Sequence, residues 1–354
     1  MTIKERYIAT LHGCAYGDTI GMAIEGWKRG QIKKYVQGGR VTEPRAPIIV
    51  RDSAGAEISE DEFGKLKYWT RGLQKGEWTD DTIFTAAIAA SIAEKKSLDL
   101  EDVACRHLKL YRELPASAYG KTTRDALENL AKGISPQRSG VIGGPGNGPA
   151  MKMSPLGLYM HATGEYDKGI RFAEDVGLMT HIDPRSVVSG AIQAYAVCHL
   201  LNDASRDEFM NALIHIASIT EFPVMEGVHT WAKKGDITSR LRWIADNKDV
   251  DADTAHITLG SSSAVYQSYP FTIWMFQKYG FSTPTRAIEG MLDTINYGGD
   301  CDTTGAIYGT LCGAHHGPIF PQSWSSAMDQ SKLDLLALWA GEIYFLRSHE
   351  ETIL

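Results

Sequence analysis

Six glycines constrain this chain of 354 residues more than any other feature. Gly13, Gly17 and Gly21 recur every fourth residue near its start, and Gly305, Gly309 and Gly313 do so near its end. Both runs sit in sequence of helical period, so each triplet forms one stripe along a helix. A glycine inside a helix costs about 1 kcal/mol relative to alanine. Three on one stripe therefore need a reason, and close helix–helix approach, which a Cβ would prevent, supplies it.

The rest of the chain is also patterned for helices. They are expected over 3–23, 82–94, 99–112, 121–132, 154–162, 167–178, 185–201, 206–218, 238–246, 263–279, 284–293, 303–315 and 331–346. Residues 82–94 are apolar almost all round, as in a buried helix. Asp183-Pro184 and Thr283-Pro284 read as caps followed by a proline in the first helical turn. The exception is 35–78, where Pro47 to Asp52, a Ser53-Ala54-Gly55 turn and Ala56 to Ile58 read as a β-hairpin. No linker, repeat or low-complexity tract divides the chain. The expectation is an all-α, many-helix fold in a single domain, 1–354, with a small hairpin near 47–58 inside an insertion over about 28–77.

Composition excludes several classes. With 36 Lys and Arg against 43 Asp and Glu, the formal charge is −7, which argues against a broad basic face for nucleic acid. The uncharged stretches 257–277 and 303–328 hold Ser, Gln, His, Pro and Gly, so they are poor membrane spans. Five cysteines, an odd number with no CxxC pair, support neither a disulfide framework nor a thiolate zinc site. The charged start, Met1 to Arg6, lacks the apolar run of a signal peptide. The chain reads as cytoplasmic, with no membrane partner. Oligomeric state has no signature in the sequence.

Two acidic clusters stand at the starts of expected buried helices: Trp78-Thr79-Asp80-Asp81-Thr82 and Gly298-Gly299-Asp300-Cys301-Asp302-Thr303-Thr304. One Asp or Thr suffices to cap a helix. Each cluster offers two carboxylates and a hydroxyl, and crowded carboxylates repel unless a cation compensates. Oxygen ligands select a hard ion, Mg²⁺ or Mn²⁺, over zinc. If the clusters converge, four carboxylates and two hydroxyls could hold two ions. Three further segments stand out. Asp18 and Glu25, seven apart, share a helical face if the first helix persists, and otherwise form a solvated acidic helix end. The loop Gly143-Gly144-Pro145-Gly146-Asn147-Gly148 precedes a helix and either turns backbone N–H groups toward phosphate or is a plain connection. His181, in Thr180-His181-Ile182-Asp183-Pro184, reads by itself as structural.

Together and in this order, GDTIGMAIEG (17–26), WTDDT (78–82), GNGPAMKMSPLG (146–157), THIDP (180–184) and GGDCDTTGAIYG (298–309) resemble the ADP-ribosylglycohydrolase family, which includes the dinitrogenase reductase-activating glycohydrolases. The resemblance implies a binuclear Mg²⁺ centre with Thr79, Asp80, Asp81, Asp300, Asp302 and Thr303 as ligands. It places Glu25 beside the metals and substrate, as acid/base or mobile ligand, with Asp80 and Asp302 also candidates to manage the proton. It assigns Gly146, Asn147, Gly148, Met151 and His181 to substrate. The family often has Arg where Lys152 stands, and a small polar residue at Cys301; segment 28–77 has no counterpart.

The implied reaction is hydrolysis at C1″ of an ADP-ribosyl group on a protein or small molecule. The Asp302-Thr303-Thr304-Gly305 run resembles the arginine-directed branch, while serine, nucleobase and metabolite linkages remain alternatives. So do a non-catalytic ADP-ribose-binding or structural member and a Mg²⁺-dependent phosphoester hydrolase.

Overall fold

Helix follows helix along nearly the whole chain. The computed structural model describes residues 1–58, 68, 70–113, 119–220 and 236–349. The first helices are α1 (Ile3–Gly21), α2 (Arg29–Tyr35), α3 (Asp80–Lys95), α4 (Leu100–Glu113) and α5 (Lys121–Ala131). Next come α6 (Gly148–Lys152), α7 (Ser154–Thr163), α8 (Tyr166–Leu178), α9 (Pro184–Leu201), α10 (Arg206–Thr220) and α11 (Ile237–Asp246). The last are α12 (Ala252–Leu259), α13 (Val265–Met275), α14 (Pro284–Asn296), α15 (Cys301–His316), α16 (Gln322–Ser325) and α17 (Gln330–Tyr344). One two-stranded parallel pair, β1 (Val141–Ile142) and β2 (His181–Ile182), joins Val141 to His181 and Ile142 to Ile182. The fold is all-α, as the patterning predicts. The helices not foreseen, α2, α6, α12 and α16, have eight residues or fewer, too short to show a period.

The glycine stripes meet each other. A Cβ on Gly13 would lie 2.1 Å from Gly309 O, one on Gly17 would lie 1.9 Å from Gly305 O, and one on Gly313 would lie 2.1 Å from Ala9 O. Thus α1 and α15 run antiparallel with backbone against backbone. At the upper end of this pair a Cβ on Gly21 would lie 2.2 Å from Cys301 O. The end of α1 and the start of α15 are therefore brought to one point.

Around this pair α17 and α3 pack on α1, while α9 packs between α7, α8, α10 and α15. Trp27, Trp274, Tyr7, Tyr269, Tyr308 and Phe84 are among the largest fully buried side chains. Both foreseen caps form: Asp183 accepts from Arg185 N at 3.0 Å, and Thr283 accepts from Arg286 N at 3.4 Å.

Two expectations need correction. The first helix stops at Gly21 and gives way to a 3₁₀ turn over Met22–Ile24. Glu25 follows with φ −53° and ψ 132°, so it shares no helical face with Asp18. The expected 263–279 helix starts at Val265, and its last turn, Phe276–Gly280, widens to π geometry.

In the 28–77 insertion, Asp52 N donates to Ala56 O at 2.8 Å and Ile58 N to Val50 O at 2.9 Å. Asp52 Oδ1 accepts from Ala54 N and Ala56 N, closing the foreseen hairpin. Residues 59–67 and 69 of that insertion lie outside the described residues. The insertion is tied to the 3₁₀ turn through Ile48 N to Ala23 O, 3.0 Å, and Thr70 Oγ1 to Met22 O, 2.7 Å. Among the described residues no helix is long and apolar enough to cross a membrane.

Candidate active site

The first acidic cluster caps α3. Thr79 is its N-cap, and Thr79 Oγ1 lies 3.1 Å from Asp81 Oδ2. Asp18, reaching in from α1, organises this segment. Its carboxylate accepts from Thr79 N at 3.1 Å, Thr79 Oγ1 at 2.9 Å and Thr82 N at 3.1 Å, and also from the Thr82 hydroxyl. Asp18 is 0% exposed. The sequence offered a solvated helix end at this position, but the structure buries Asp18 as the anchor of the Thr79–Thr82 turn.

The second cluster is set by backbone pairing. Gly26 N donates to Gly299 O at 2.7 Å, and Gly299 N donates to Trp27 O at 2.8 Å. Gly298 and Gly299 have φ of 84° and 85°, where a side chain would be strained, and a Cβ on Gly298 would strike Trp27 O at 2.3 Å. This pairing brings Glu25 against Asp300 and Asp302. One oxygen from each of these three carboxylates lies within 4.8 Å of the others.

The two clusters converge. Burial raises the Asp81 carboxyl well above the usual range; the charges of Asp18, Asp80 and Asp300 push the same way, and the Thr303 hydroxyl opposes them. Burial and then Asp18 and Asp300 push Asp80 up to about 7, against the charge of Lys152. Glu25 is raised by burial and by Asp300, Asp80 and Asp18. Asp302 is raised by burial, then by Glu25, Asp300 and Asp81. Each of these carboxyls is therefore held against a charge it would lose unless a cation balanced it.

Three observations fit a hard cation. The Glu25, Asp300 and Asp302 oxygens cluster as described. Asp81 Oδ1 is buried with no hydrogen-bond partner among the described residues. The donors on all sides, Thr79 and Thr303 included, are oxygen atoms, the set that suits Mg²⁺ or Mn²⁺.

The glycine-rich loop lies beside the second cluster. Asn147 N donates to Ser263 O at 3.1 Å, Val265 N to Pro145 O at 2.7 Å, and Asp300 N to Ser261 O at 2.7 Å. Segment 261–265 thus ties the loop to Asp300, a site role the sequence did not indicate: Gly260-Ser261-Ser262-Ser263 carries only a loop signal, and 263–265 were expected simply as the start of a helix. The Asn147 side chain donates to Asp300 Oδ2 at 2.9 Å. His181 is 2% exposed and lies under the loop: a Cβ on Gly146 or Gly148 would lie 2.7 Å from its ring. Burial and the nearby Lys152 push His181 down to about 3, so its ring is neutral at physiological pH. Met151, 4% exposed on α6, packs in the apolar core. Lys152 is 1% exposed, with its Nζ 3.4 Å from Thr180 Oγ1 and 5.4 Å from the centre of the Phe84 ring. Burial brings its ammonium down to about 7.

A helical scaffold that focuses carboxylates and hydroxyls from three chain segments on one point defines a class: an all-α protein with an oxygen-lined centre suited to a hard cation. The sequence model of the ADP-ribosylglycohydrolase family matches residues 1–350, and the chain belongs to that family of glycosyl-ADP-ribose hydrolases. It is similar to the ADP-ribosylhydrolase ARH3 of Danio rerio, 27% identical over 381 residues covering 98% of this chain and 92% of the relative. The ADP-ribosyl-(dinitrogen reductase) glycohydrolase of Rhodospirillum rubrum is 26% identical over 334 residues, covering 93% of this chain and 92% of the relative. A solved structure, an ADP-ribosylglycohydrolase-related protein complex, shares the fold with a TM-score of 0.65 at 24% identity, covering 98% of this chain and 99% of that one.

Proposed function

We propose that this protein is a Mg²⁺-dependent hydrolase that cleaves the glycosidic bond at C1″ of ADP-ribose, with ADP-ribosylarginine on protein as the substrate and free ADP-ribose as the product. The observation that carries the reading is the Glu25–Asp300–Asp302 cluster, set against Asp80 and Asp81 in a chain of this family. Thr79, Asp80, Asp81, Asp300, Asp302 and Thr303 would hold two Mg²⁺ ions, a role Mn²⁺ also suits. When bound, the ions would supply Lewis acidity for orienting the distal ribose and for making a water more acidic.

The chain's own residues do the rest. Backbone groups at Gly146, Asn147 and Gly148 would receive the diphosphate or distal ribose, over the neutral His181 ring. Cleavage at C1″ builds an oxocarbenium-like charge, which surrounding carboxylates stabilise. Glu25, set against Asp300 and Asp302 from the turn that follows the first helix, would move the proton between water and leaving group, with Asp80 and Asp302 the other candidates for that role. The Asp302-Thr303-Thr304-Gly305 run supports the arginine linkage.

A substrate panel tests the reading: arginine-, serine- and nucleobase-linked ADP-ribose, each with Mg²⁺ and with chelator. Mg²⁺-dependent release of ADP-ribose from the arginine linkage is expected. Release from another linkage alone would reassign the acceptor. Release of inorganic phosphate instead would replace the reaction with phosphoester hydrolysis.

A further inference from the structure

Asn147 sits in the loop that the reading above gives to substrate, yet its side chain is spent on the second acidic cluster. Its Nδ2 lies 2.9 Å from Asp300 Oδ2 and 3.2 Å from Ser268 Oγ, and the residue is 6% exposed. Both ends of the Asn147–Asp300 bond hang on the same piece of backbone. Asn147 N bonds to Ser263 O at 3.1 Å, Gly146 bridges to Ala264, and Asp300 N bonds to Ser261 O at 2.7 Å. The Asn147 carbonyl also accepts from Met151 N at 3.1 Å, at the start of α6. Donor and acceptor are thus held in register by main-chain bonds on either side.

A carboxylate has two oxygens and rotates freely about its last bond when neither is engaged. An amide donor on one of them stops that rotation and leaves the second to a cation. Side chains that orient ligands in this way typically account for about 10- to 100-fold in metal affinity. We propose that Asn147 is a positioning residue for the cation site: it fixes the Asp300 carboxylate and, through its own backbone, couples the glycine-rich loop to that carboxylate. The inference rests on the reading of the acidic cluster as a cation site.

The test is the affinity of the full-length protein for Mn²⁺, read from the electron paramagnetic resonance of free Mn²⁺ with no substrate present. Asn147→Ala should weaken Mn²⁺ binding by about 10-fold or more. The loss is read with no substrate present, so any part Asn147 plays in substrate binding does not enter it. Mn²⁺ affinity equal to wild type, with a raised KM, would overturn the proposal and return Asn147 to substrate binding. Should Asn147→Ala melt well below wild type in the metal-free state, Asn147→Leu carries the same test, since it keeps the side-chain volume and lacks the N–H donor to Asp300. A loss of Mn²⁺ affinity in that variant supports the proposal, and an unchanged affinity overturns it. Wild-type protein that binds no Mn²⁺ would overturn the cation reading and this inference together, whereas failure of Asn147→Ala alone leaves the cation reading standing.

Discussion

At Asp18, burial and hydrogen bonding oppose each other. Burial raises its carboxyl to about 6, while donors from Thr79 and Thr82 hold the charged form. Asp18→Ala would leave two backbone N–H groups and two hydroxyls without their acceptor. A loss of about 3 kcal/mol is expected, read as a lower urea midpoint, since breaking a buried charged network costs more than any one bond within it. Asp302→Ala should behave differently. It removes repulsion among Glu25, Asp300 and Asp81, so metal-free stability should hold or rise, while turnover falls by at least about 10²-fold. Stability assays and product assays on the two variants should therefore rank them in opposite order. Asp18 and Asp302 also mark what the sequence did and did not reveal. The paired aspartates at 80–81 and 300–302 were legible because their spacing exceeds what capping needs. Asp18 was not: one carboxylate near a helix end has the same appearance whether it faces water or a buried turn, and only the position of α3 decides.

Among elements, the α1–α15 pair carries the most consequence. Gly17→Ala gains helix propensity of about 1 kcal/mol, yet its Cβ would lie 1.9 Å from Gly305 O. Overpacking of that kind costs about 3 kcal/mol or more and separates the ends that bring Glu25 to Asp302. Both melting temperature and activity should fall. Gly30→Ala, in α2 with nothing within 4 Å of its added Cβ, should instead stabilise by about 0.5–1 kcal/mol with activity intact. Melting curves of the two variants check the contrast. The need for close approach was readable from the two stripes, because three glycines on one face have few other uses. Why Glu25 joins the cluster was not readable. That depends on α1 stopping at Gly21 and on the pairing of Gly26 and Trp27 with Gly299, which leave no periodic trace. The glycine-rich loop gained a second meaning as well, since Gly146 and Gly148 make room for the His181 ring.

For the whole molecule, the acidic centre makes stability depend on pH and on metal together. Asp80 is raised to about 7 and Asp18 to about 6, against ordinary values near 3.8 in the unfolded chain. Across that window the folded state holds more protons than the unfolded state, so the contribution of these groups to stability falls as pH rises from about 4 to about 7. A bound cation displaces those protons, so its stabilising effect should grow over the same range. Mg²⁺ at 100 times its dissociation constant contributes about 2.7 kcal/mol. The rise in melting temperature on adding Mg²⁺ should thus be larger near pH 8 than near pH 5, and an equal rise at both would remove the raised carboxyls from the account. The net charge of −7 says correspondingly little about partners, because five of the acids, Glu25, Asp80, Asp81, Asp300 and Asp302, face inward on one site. If this site works as a cation-loaded glycosidase, the protein releases free ADP-ribose from an ADP-ribosylarginine peptide, a reaction followed by chromatography. Wild-type protein with Mg²⁺ should release ADP-ribose, and either chelator or Asp302→Ala should abolish the release. Equal release in chelator, or by Asp302→Ala, would contradict the account.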